Sequence, residues 1–130
     1  MSLPTVVFGL LGTSLDVGHG SHRWERWRPT VALCQQDDLA IARLEILHPR
    51  MATKLALQVS QDIAQVSPET VVRLHTADQV DPWDFEEVYT QLHDFAAAYP
   101  FDTAREQYLV NITTGTHVAQ ICMFCLLYTS

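Results

Sequence analysis

Tyr108-Leu-Val-Asn-Ile-Thr-Thr-Gly-Thr-His117, followed by the apolar run from Val118 to Leu127, is the stretch on which the fold turns. Tyr108 to Ile112 is apolar and partly β-branched with a single polar Asn111, which predicts a short buried strand. The chain then turns through Thr113-Thr114-Gly115-Thr116 and enters a predicted helix. Threonine hydroxyls donate, Gly115 admits a close approach to the backbone, and the first amides of a helix lack partners. Such a turn suits an anion. The same residues also make an ordinary N-cap and tight turn, since Ser and Thr are common caps. In open α/β sheets ligands bind outside the carboxyl ends of the strands, where this turn lies.

Pro4 to Leu11 is a second continuous apolar run, expected to be a strand covered on both faces, and it too ends in a Gly/hydroxyl turn, Gly12-Thr13-Ser14-Leu15-Asp16. If both strands flank a topological switch point, the two turns face each other across one crevice. The rest of the pattern supports that layout. A short helix is expected over Arg28–Gln36, a strand over Ala42–His48, and a helix after Pro49 with Leu55, Val59, Ile63 and Val66 on one face. Another strand is expected over Thr70–Thr76. The next helix is expected to be capped by Asp81 with Pro82 in its first turn, and to bury Phe85, Val88, Leu92, Phe95 and Tyr99. The order β-α-β-α-β-α-β-α reads as α/β, a doubly wound, mainly parallel Rossmann-like sheet.

Val17 to Pro29 stands apart. It holds Arg23, Arg26 and Arg28, three of the eight Lys and Arg residues, interleaved with Trp24 and Trp27, in a chain of net charge -7. A basic island with aromatics suggests phosphate contact plus base stacking, with Arg23 and Arg26 as ligand-binding candidates. The alternative is that the tryptophans pack on the core and the arginines form a solvated rim. The acidic balance of the whole argues against broad binding to nucleic acid or an anionic membrane. No segment is long and apolar enough to span a bilayer. Three cysteines at no disulfide-like spacing fit a reducing cytoplasm. No Gly-x-Gly-x-x-Gly or P-loop pattern occurs.

Taken together, Phe8-Gly-x-x-Gly-Thr13 with Asp16, Arg23-Trp-x-x-Trp-Arg-Pro29, Pro82-Trp-Asp-Phe-Glu-Glu-Val88 and Ile112-Thr-Thr-Gly-Thr-His-Val-Ala-Gln-Ile-Cys122 resemble the RtcR family. These are bacterial transcriptional regulators of the operon for RNA 3′-terminal phosphate cyclase. The resemblance covers the chain to Phe124 and implies an amino-terminal sensor, a CARF domain (CRISPR-associated Rossmann fold). In that family the sensor precedes an AAA+ ATPase and a helix-turn-helix domain that act on promoter DNA and sigma-54 RNA polymerase. ATP and magnesium would belong to that ATPase, and no cofactor is implied for this chain. The resemblance further implies a homodimer binding an RNA-derived ligand, either RNA ends carrying 2′,3′-cyclic phosphate or cyclic oligoadenylate. On the residues, it implies that Gly12, Thr13, Ser14 and Asp16 with Asn111, Thr113, Thr114, Gly115, Thr116 and His117 line the ligand site. Thr116 and His117 stand where many CARF members carry a Gly and a Lys. The runner-up is a CARF-type ring nuclease.

The end of the chain departs from this pattern. Cys125-Leu-Leu-Tyr-Thr-Ser130 back-translates as TGT-CTC-TTA-TAC-ACA-TCT, the mosaic-end adapter of transposon-based sequencing libraries. The expectation is a sensor domain over residues 1–124, incomplete at its carboxyl end, with residues 125–130 as a non-native read-through tail. Cys122-x-x-Cys125 is then neither a redox nor a zinc motif.

Overall fold

The computed structural model describes residues 2–129, with side chains as far as Leu126, so Ser130 of the expected tail lies outside the described residues. Four strands, β1 (Thr5–Leu10), β2 (Arg43–His48), β3 (Val71–Thr76) and β4 (Gln107–Asn111), alternate with four helices. The helices are α1 (Pro29–Leu33), α2 (Thr53–Val66), α3 (Phe85–Ala98) and α4 (His117–Thr129). The strand order is β3-β2-β1-β4 and every pairing is parallel. Parallel neighbours need crossover helices, and the two-residue alternation of β1 sends its side chains to both faces.

Val7, Leu44 and Ile46 pack under α1 and α2 with Val31, Val59 and Ile63. Val6, Phe8 and Leu47 pack under α3 and α4 with Val88, Leu92 and Cys122. The crossovers therefore leave to opposite faces on either side of β1. That makes the gap between β1 and β4 the switch point anticipated from sequence. Burial of each large apolar side chain contributes roughly 1.5 to 3 kcal/mol.

Three details differ from the sequence expectation. The helix expected from Arg28 to Gln36 stops at Leu33, with Pro29 in its first turn. Asp81 does not cap α3: Asp84 does, accepting from the amides of Glu86 at 3.0 Å and Glu87 at 3.3 Å. Glu87 reaches back to the amides of Asp81 (2.8 Å) and Val80 (3.1 Å). That pull winds residues 81–84 into a separate turn closed by Asp84 N on Asp81 O at 3.1 Å. Helix initiation is thereby delayed by three residues. Phe85, placed in the core by its spacing, is consequently the first helical residue and lies half exposed, stacked on Tyr89.

At the amino end of the sheet Glu45 is fully buried in mid-strand. It accepts from Arg43 Nε at 2.9 Å, from the Tyr99 hydroxyl, and lies 2.7 Å from His75 Nε2. Burial pushes its carboxyl up, but those hydrogen bonds outweigh it and hold it below its ordinary value. Arg43 also grips Glu106, whose carboxyl falls to about 2 under that hydrogen bond. The network ties β2 to the end of α3 and the entry to β4, leaving the carboxyl end of the sheet as the open end. Among the described residues no helix is long and apolar enough to cross a membrane.

Candidate functional site

The turn after β1 is closed on itself. Asp16 N donates to Gly12 O at 2.8 Å, and Gly12 N donates to Asp16 Oδ2 at 2.7 Å. Asp16 is fully buried and also accepts from Thr30 N at 2.9 Å and Thr30 Oγ1 at 2.6 Å. Its acceptors face the start of α1, so this expected ligand-binding residue is a brace for the turn. Gly12 is required by close approach: a Cβ there would lie 2.9 Å from Thr114 Cγ2 and 3.0 Å from Asp16 Oδ2. Thr13 and Ser14 are left exposed at the crest.

The turn after β4 is pegged to the turn after β1. Thr114 is 2% exposed and its hydroxyl donates to the Leu10 carbonyl. Asn111 Oδ1 accepts from Thr113 N at 3.2 Å and Thr113 Oγ1 at 2.7 Å. Gly115 adopts φ +94°, and a Cβ there would sit 2.6 Å from Leu10 Cδ1. Thr116 is the N-cap of α4: its Oγ1 accepts from Ala119 N at 3.1 Å and lies 3.3 Å from Pro82 O. A hydroxyl has one hydrogen to give. Those of Thr113 and Thr114 are committed within the protein, and that of Thr116 points at Pro82, so the expected threonine donors serve the turn rather than a ligand. The backbone remains. The first helical bond is Gln120 N to Thr116 O at 3.0 Å, so the amides of His117 and Val118 precede the ladder. His117 is exposed beside them.

Both turns border one cleft of about 780 Å³, within the range of small-molecule sites. From the β1 side it is lined by Gly12 to Leu15, from the β4 side by Thr113 to His117. Asn111 stands behind the second turn and does not border it. His48 and Pro49 at the end of β2, Gln79 beyond β3, and Trp83 before α3 complete the wall. Periodicity gave no reason to single these out. For His48, Pro49 and Gln79 the one sequence signal is position at or beyond a strand end, since parallel strands place those ends together, whereas Trp83 stands in the Pro82-Trp-Asp-Phe-Glu-Glu-Val88 motif.

The basic island is elsewhere. Arg23 donates to Asp62 at 3.0 and 3.2 Å, and Arg28 to the same carboxylate at 2.7 Å. Asp62 is fully buried on α2. Burial pushes its carboxyl up, yet the hydrogen bonds from Arg23, Arg28 and Gln58 prevail and hold it below its ordinary value. Both guanidiniums also lie over Trp24, at 5.4 and 5.2 Å. Arg26 donates to Ser14 O at 3.0 Å, supporting the β1 turn from outside. Arg23 and Arg26, the expected phosphate contacts, thus do not border the cleft, and each makes hydrogen bonds within the chain. None of the cleft-lining residues is a Lys or Arg.

These motifs recur in known proteins. The family model of RtcR, regulator of RNA terminal phosphate cyclase, matches residues 4–130. The chain belongs to the RtcR family. Transcriptional regulatory protein RtcR of Escherichia coli strain K12 is 56% identical over 123 residues, covering 94% of this chain and 23% of that protein. The chain therefore spans about a quarter of the length of that relative. Among solved structures, Enterococcus italicus Csm6 bound to cyclic hexa-2′-fluoro-hexa-dAMP superposes with a TM-score of 0.71 at 13% identity, covering 98% of this chain and 31% of that one. Can2 from Sulfobacillus thermosulfidooxidans in complex with cyclic tetra-adenylate superposes with a TM-score of 0.58 at 14% identity, covering 96% and 29%. Both neighbours are CARF-domain proteins, and this RtcR-family chain shares their fold.

Proposed function

We propose that this RtcR-family chain is the regulatory sensor of a transcriptional activator of RNA-repair genes. It binds an RNA-derived ligand, an RNA end with 2′,3′-cyclic phosphate or a cyclic oligoadenylate, and acts in the cytoplasm without catalysis of its own. The observation that carries this reading is the cleft at the β1/β4 switch point, bordered on both sides by pinned turns that present backbone and small side chains. Csm6 and Can2, solved with cyclic adenylates, support the ligand class.

In the whole regulator the ligand signal passes to an AAA+ ATPase using ATP and magnesium, and through it to sigma-54 polymerase and promoter DNA. Two sensor copies pair, a reading supported by the apolar Leu109 on β4, Ile112 just after it and Ile121 on α4, all left exposed.

Calorimetric titration of the chain with cyclic tetra-adenylate and with RNA ending in 2′,3′-cyclic phosphate, followed by product analysis, tests the reading. Saturable binding without linear product is expected. Linear product would assign a ring nuclease, with exposed His117 at the cleft edge as the group to stabilise charge. No binding to either class overturns the ligand assignment.

A further inference from the structure

Trp83 is 63% exposed, although nothing on the surface of a folded chain requires an indole there. It borders the cleft, and its backbone is fixed from several directions. Trp83 N donates to Asp81 Oδ1 at 3.0 Å, Asp81 N donates to Glu87 Oε1 at 2.8 Å, and Pro82 O faces the Thr116 hydroxyl at 3.3 Å. The last of these links the Trp83 turn directly to the N-cap of α4. A large flat ring held on a pinned backbone at the edge of a cleft has the properties of a stacking platform, since every nucleobase has a π-face.

Charge fixes the polarity of whatever lies there. Asp81, Asp84, Glu86 and Glu87 surround Trp83 in sequence at the start of α3, so a phosphate on this side meets like charge. The turn after β1, with Thr13 and Ser14 at its crest, carries no carboxylate other than buried Asp16, whose oxygens are all engaged. Gln79 and Gln91 line the same cleft. Gln79 Nε2 donates to Gln91 Oε1 at 2.7 Å and Gln91 Nε2 to Asp78 O at 2.7 Å, which orients both amides. The cleft thus holds neutral amide groups as well as the indole, and its carboxylate-free border is the turn after β1.

Resting on the nucleotide reading of the cleft, we infer that Trp83 is its base-stacking residue. It stacks the base of one nucleotide while the phosphate lies against the turn after β1. The ligand is therefore recognised through a base as well as a phosphate.

The test uses the 130-residue chain with cyclic tetra-adenylate, RNA ending in 2′,3′-cyclic phosphate, and the same RNA with an abasic terminal nucleotide. In a Trp24→Phe, Trp27→Phe background Trp83 is the sole tryptophan, and its fluorescence should be quenched on binding. Trp83→Ala should weaken binding by about 5- to 150-fold, Trp83→Phe by far less, and both should melt like the parent because the indole is exposed. The abasic RNA should bind the parent and Trp83→Ala equally. Unquenched fluorescence, or unchanged affinity of Trp83→Ala for ligands that the parent binds, overturns the platform and leaves the cleft reading intact. Failure of the parent to bind any probe overturns the cleft reading and the platform with it.

Discussion

The Thr114 hydroxyl is the peg that holds the turn after β4 against the end of β1. Thr114→Val is nearly isosteric but leaves the Leu10 carbonyl without its donor in a buried setting. The expected cost is about 1 to 3 kcal/mol, read as a shift of the urea midpoint at unchanged slope. Gly115 is the second residue on which the turn depends. At φ +94°, Gly115→Ala strains the backbone and drives its Cβ into Leu10, with a cost of about 1 to 3 kcal/mol. Adding Leu10→Ala should relieve the steric part but not the backbone part, so the double mutant should recover only partly relative to Leu10→Ala alone. Full recovery in denaturation would show that the backbone conformation itself is not costly here.

Among the elements, the segment from Ser21 to Arg28 depends on α2. Arg28 has its side chain 2% exposed, and its guanidinium is satisfied by Asp62, so removing the carboxylate strands a buried charge. Asp62→Ala should cost about 3 to 5 kcal/mol and release the Trp24 packing, seen as a change in tryptophan emission. The pH dependence has a definite sign. The folded Asp62 carboxyl lies below its unfolded value of 3.8, so its contribution is whole above about pH 4 and is lost as pH falls through the folded value. Glu45 acts in the same direction. Acid titration of stability should therefore be less steep in Asp62→Ala than in the parent, and identical slopes would remove Asp62 from the acid response.

Across the whole molecule, the cleft is mostly apolar and has no Lys or Arg in its lining, in a chain of net charge -7. Binding that relied on Lys and Arg would lose affinity with a slope near -0.7 per phosphate contact on a single strand. Here the expected dependence of log affinity on log salt is flat to within about one such contact, and Arg26→Ala should not change it. A steep salt loss that Arg26→Ala reduces would restore the basic island to the ligand site. A steep loss that persists would point to cations contributed from outside this chain.

The alternation of apolar runs with helical stripes, and the two Gly/Thr turns that close β1 and β4, determined the doubly wound sheet and the end at which its cleft opens. These are local patterns, with periods set by backbone geometry, and they are written in neighbouring residues. The motif Ile112-Thr-Thr-Gly-Thr-His117 likewise carried the family. Tertiary structure alone decided what each side chain in those motifs does. Whether a hydroxyl faces a ligand or the Leu10 carbonyl depends on a partner 104 residues away. Whether Arg23 meets phosphate or Asp62 depends on one 39 residues away. It also decided that His48, at the end of β2, and Gln79 and Trp83, from the connection between β3 and α3, share one wall. Hydrogen bonds and ion pairs are satisfied by whatever the fold brings within about 3 Å, and sequence spacing does not encode that proximity.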